Sequence, residues 1–124
     1  MRYLVTALVN AEPGMRGMRD GYEPSHKLAT VGYFDIETPH DDFNEAAEAM
    51  FAIGNREGTD LNGQEWPSDV RSLSVGDLLF VSRNSDSVYA VLSVESSGWK
   101  ARKLPADSRY VPLAGTEATS RKAE

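Results

Sequence analysis

The triplet His40-Asp41-Asp42 is the densest group of proton carriers and metal-type ligands in this 124-residue chain. An imidazole beside two carboxylates could hold a divalent cation or shuttle a proton. A metal, however, needs three or four ligands converging on one point. Consecutive side chains diverge, and the other histidine, His26, is far away in sequence. Ahead of an apolar-periodic stretch the same triplet serves helix capping, where negative charge suits the exposed N–H groups. No metal site and no cofactor are therefore expected. Serines crowd the segment from Ser72 to Ser97, but none sits in a GxSxG elbow, and turn chemistry accounts for them. With no cysteine in the chain, a thiol nucleophile, a disulfide framework and a zinc ribbon are all excluded. No catalytic residue is assigned, and the chain is read as a non-enzyme.

Three further motifs carry some chemical content. "DLNGQEWPSD", from Asp60, sets acidic side chains beside a glycine, but its oxygens are out of register with a calcium loop. Asp60 and Asn62 are expected to stabilise turns. "GMRGMRDG" spaces Gly14, Gly17 and Gly21 around Arg16 and Arg19. It follows an apolar strand pattern, yet no helix opens behind it, so the helix N-terminus of a phosphate loop is missing. Arg16, Arg19 and Tyr22 are instead candidate contacts for a partner, with Met15 and Met18 as adaptable neighbours. Trp66, in a long polar loop, either pins that loop or faces a partner.

The elements that must position these residues follow from periodicity. "RYLVTALV" alternates Tyr3, Val5, Ala7 and Val9 against Leu4 and Leu8, which predicts a central strand covered on both faces. "LATVGYFDIET" predicts a second strand, with Val31 and Tyr33 on one face and Phe34 and Ile36 on the other. "HDDFNEAAEAMFAIGN" predicts the principal helix, from Asp42 to Ile53. Asp41 or Asp42 is its N-cap, Glu45 completes a capping box, and Phe43, Ala46, Ala47, Met50 and Phe51 line one side. Gly54 is its expected C-terminal stop. "SVGD" predicts a turn with Gly76 at positive φ and Asp77 bonding back to the turn. The turn explains why a polar stretch gives way abruptly to Leu78–Val81. Two further strands, "SVYAVLSVE" and "WKARKL", complete a meander.

These elements make an α+β domain: a mainly antiparallel sheet of about five strands with one principal helix on one face. Residues 1–113 are read as a single domain and 114–124 as a flexible tail. The net charge is -6 and the isoelectric point is near 4.9. Such a balance does not draw nucleic acid non-specifically. No apolar run approaches the roughly 20 residues of a spanning helix. A cytoplasmic location is expected, without membrane contact.

"FNEAAEAMFAIGNREG", "WPSDVRSLSVGDLLFV" and "VYAVLSVESSGWKARKL", in that order and spacing, resemble the YodL-like domain family. Trp99 stands where the family pattern has a phenylalanine, and "VESSGW" is a longer turn. The resemblance implies a non-catalytic accessory module of a plasmid, phage or conjugative element, with no catalytic or cofactor residues to carry over. The expectation is thus a module that binds a protein partner through its long loops, 10–27 and 56–70. The alternative is a nucleic-acid-binding module resembling PUA or ASCH domains, which also place a "VGD" turn before a strand. That reading needs Arg16, Arg19, Lys100, Arg102 and Lys103 to converge on one face. A small hydrolase is a distant third.

Overall fold

The structure is a computed structural model that describes residues 1–12, 19 and 21–102. The expected tail, with the end of the domain assigned from sequence, lies outside the described residues. The elements whose full range lies among the described residues are β1 (Arg2–Asn10), β2 (Leu28–Glu37), α1 (Phe43–Gly54), β3 (Leu78–Arg83), β4 (Tyr89–Glu95) and β5 (Gly98–Arg102), in that order. The strands form one antiparallel sheet ordered β2-β1-β3-β4-β5, and α1 packs on one face. This is the α+β architecture that the alternating and helical periods imply.

β1 is central, as its two-sided apolar pattern suggests. Tyr3, Val5, Ala7 and Val9 are buried towards α1, which returns Ala46, Ala47, Met50 and Ile53 to the same core. Each large side chain fully buried there stabilises the fold by about 1.5–3 kcal/mol. The other face differs from expectation. Leu8 is buried with Tyr22, Leu28, Leu78 and Val91 in a second cluster, but Leu4 and Thr6 are only half-buried. Cover on that side therefore reaches only the C-terminal half of β1.

β2 also departs from simple alternation. Ala7 pairs with Gly32 and Leu8 with Thr30, so Val31 is an extra residue without a partner across the ladder. A bulge of this kind resets the period of two. Val31 consequently joins Phe34 and Ile36 in the helix-side core rather than sharing a face with Tyr33, which stands opposite Thr6.

At the start of α1, Asp42 is the N-cap and accepts the Asn44 backbone N–H at 2.8 Å. Glu45 does not close the box onto Asp42. It accepts the backbone N–H of His40 at 3.2 Å and pairs with the His40 ring at 2.9 Å, one turn of chain earlier. At the other end Gly54 lies inside the helix, and the left-handed residue is Arg56, with φ of 64°. Gly54 is needed for a different reason: a Cβ there would sit 2.4 Å from the buried Leu73 side chain.

Candidate interaction surfaces

Asn10, at the end of β1, leads into the first long loop and ties its base to the SVGD turn. Gly76 has φ of +96°, which only glycine adopts without strain. Asp77 is fully buried. Its carboxylate accepts the backbone N–H of Asn10 at 2.7 Å and of Ser74 at 2.8 Å. Arg71 donates to both carboxylate oxygens, at 2.8 and 2.9 Å, and to the Asn10 carbonyl at 3.1 Å. Burial pushes the Asp77 carboxyl above its ordinary range, while Arg71 and the two N–H groups pull it back. The Arg71 guanidinium is held above its own range by the same carboxylate. The group is a clamp that fastens β1 to the entrance of β3. The sequence motif points to Gly76 and Asp77 but not to Arg71, which stands six residues upstream in an unpatterned loop.

His26 belongs to this clamp. Its Nδ1 accepts from the Asn10 side-chain amide at 2.9 Å and from the Glu23 N–H at 3.2 Å, because both of those groups are donors only. Tyr22 is 3% exposed, with its ring edge-on to His26 at 6.2 Å. Tyr22 is therefore core rather than a surface contact. Arg19 is exposed, while Arg16, Met15 and Met18 lie outside the described residues. So do Lys103 and the side chain of Arg102, leaving exposed Lys100 and Arg19 as the described members of the proposed basic face.

The second long loop is packed rather than presented. Trp66 is 5% exposed and stacks on Phe34 with centroids 6.0 Å apart. Its Nε1–H donates to the carbonyls of Val70 at 3.3 Å and Arg71 at 3.0 Å. The indole thus fills the core edge and satisfies its polar atom, so it does not offer a ring to a partner. Asp60 organises the turn before it, accepting the backbone N–H of Asn62, Gln64 and Asp35 at 2.8–2.9 Å. The Asp35 carbonyl in turn accepts from Leu61 N–H at 2.9 Å, which pins the loop along the outer edge of β2.

The serine-lysine spacing Ser97-Gly98-Trp99-Lys100 straddles the β4–β5 turn, with both ends exposed. It lacks the helix that brings side chains three apart together. Among the described residues, no three of His, Asp or Glu form a metal-binding group, and no helix is long and apolar enough to cross a membrane.

Asp41 is tied to the sheet through Tyr3 and Arg83, whereas the exposed His40 ring pairs with Glu45 of α1. Asp41 accepts the Tyr3 hydroxyl at 2.9 Å and Arg83 at 2.8 and 3.1 Å. Arg83 also holds Asp86. These bonds depress both carboxyls below their ordinary range, and burial, reinforced by the contact with Asp41, raises the Tyr3 phenol.

Two surfaces remain that the sequence did not single out. The first is the sheet face opposite α1. Phe80 stacks on Tyr89 with centroids 4.7 Å apart, and Tyr89 is 60% exposed. Leu4, Thr6, Tyr33 and Phe80 line a depression of about 330 Å³ beside them. The second is a groove between α1 and the β4–β5 hairpin, floored by Phe51 and Trp99. Both are assembled from distant segments, so neither forms a motif. Comparison of the chain with family models, curated proteins and solved structures returned no match.

Proposed function

We propose that this protein is a small non-enzymatic interaction module that binds a protein partner across the open face of its sheet. The observation that carries the reading is the uncovered Phe80–Tyr89 pair with Leu4 and Tyr33 beside it. Exposed contiguous apolar and aromatic surface marks interaction sites, and aromatic residues are enriched in them. At one end of this face Arg2 pairs with Glu37, and exposed Lys100 stands on the same face opposite Ser93. The aromatic centre of the face suits an apolar protein surface, and Lys100 beside it can meet a partner's carboxylate. The YodL-like resemblance supports placing the module on a plasmid, phage or conjugative element.

The test is a folded face variant, Tyr89→Ser with Phe80→Thr. Wild type and variant are used to capture partners from a lysate of the source cells, with and without nuclease. A captured protein is then purified and titrated against both forms. Direct binding of that protein to wild type, and its loss in the variant, supports the proposal. Capture that disappears with nuclease favours the nucleic-acid alternative instead. A concentration-dependent dimer of the wild type, dispersed by the variant, identifies a second copy as the occupant and overturns a separate partner.

A further inference from the structure

The groove on the other side of the sheet has a different character. Its volume is about 420 Å³. Its floor is aromatic, with Phe51 from α1 meeting Trp99 from β5 edge-on at 5.6 Å and 78°. Both rings are half-buried, so part of each is open to solvent. Two carboxylates border them, Glu48 on α1 and Glu57 just past its end, and among the described residues no lysine, arginine or histidine lines the groove. The Glu95 side chain turns to the opposite face of the sheet, where its carboxylate accepts the Ser93 hydroxyl at 2.7 Å. Glu48 and Glu57 are exposed and make no ion pair with any described residue. The groove also lies at the C-terminal half of α1, whose last turn contains no basic residue. The Phe51–Gly54 carbonyls there accept backbone N–H groups of Asn55, Arg56, Glu57 and Leu73, so only the residual dipole of the helix end adds to the carboxylates.

We infer that this groove receives the basic side chains of an extended segment of a protein partner. A guanidinium or ammonium is attracted to the face of an indole, and more strongly where carboxylates flank it. Arginine fits best, because its planar head stacks on Trp99 while still donating to a carboxylate. The spread of the acids selects a segment over a single ion. Glu48 and the helix end at Gly54 are separated by about 9 Å of helix rise, and Glu57 lies beyond. One ammonium cannot serve both ends, whereas alternate side chains of an extended peptide can. The groove is on the α1 side of the sheet, so the inference stands or falls independently of the open-face proposal.

The chain's two tryptophans make the test internally controlled. A labelled peptide of alternating arginine and serine is titrated by fluorescence anisotropy, and indole N–H signals are followed by NMR. The expected result is movement of the Trp99 indole signal while that of Trp66, bonded to the Val70 and Arg71 carbonyls, stays put. Glu48→Gln with Glu57→Gln weakens binding by about tenfold, roughly 1.4 kcal/mol. The charge-matched control Glu65→Gln with Asp69→Asn leaves it unchanged. Equal weakening by the control pair would reduce the effect to net charge and overturn the inference. So would an unmoved Trp99 signal, or equal affinity for a serine-glutamine peptide. Spermidine binding as tightly as the peptide would replace the segment with a free polyamine and overturn the choice of partner.

Discussion

Single side chains in this protein divide by whether their neighbours are near in sequence. Gly76 and Asp77 are recognisable because a turn is a local event, and the polar-to-apolar switch announces it. Arg71, which completes the clamp on Asp77, and Val31, the bulge residue, are set by contacts made across the sheet and leave no local trace. Trp66 shows the ambiguity most clearly. An indole in a polar loop reads equally as a partner contact or a core plug, and the stack on Phe34 with two carbonyl acceptors makes it a plug. Trp66→Ala is accordingly expected to cost about 3 kcal/mol in urea unfolding. A loss under about 1 kcal/mol, with Phe34 repacked, would return the ring to the list of surface contacts.

At the scale of elements, the helix and all five strands follow from hydrophobic period, since each buries a face the chain writes in order. Their ends are less predictable because capping depends on geometry. Asp42 accepts the Asn44 N–H with its side chain and the Ala46 N–H with its carbonyl, and Glu45 turns to His40 instead of the cap. Asp42→Ala should therefore lose about 1 kcal/mol, measured by thermal or chemical denaturation. Glu45→Ala, acting on an exposed pair, should lose much less. The reverse ranking would show that the His40–Glu45 contact, not the cap, starts α1. The loops were expected to hold the functional residues because of their length. The loop 56–70 is long for a packing reason: it carries Trp66 to the core edge and Asp60 to the outer backbone of β2.

For the molecule as a whole, the carboxylates set an acid limit. Asp41 and Asp86 are held below their ordinary value of 3.8 by hydrogen bonds, from Tyr3 and Arg83 in one case and from Arg83 in the other. Depressed folded values mean that their stabilisation is complete above 3.8 and is lost as the pH falls through the lower folded values. Asp77, raised by burial, has the opposite sign, and its contribution shrinks as pH rises through its raised value. Unfolding free energies measured from pH 6 to pH 2 should fall at the acid end, and Arg83→Gln should flatten that fall. An unchanged slope in the variant would mean that Arg83 does not hold the two acids in solution. The sheet order has a further consequence, for the chain as it is made. β1 leaves the ribosome first and pairs at once with β2, but its other edge belongs to β3, which is completed about 45 residues later. At roughly 5–20 residues per second, β1 spends several seconds half-paired. Until Leu78–Arg83 emerges, that edge is a template open to any extended chain nearby, and in the finished sheet β3 covers it.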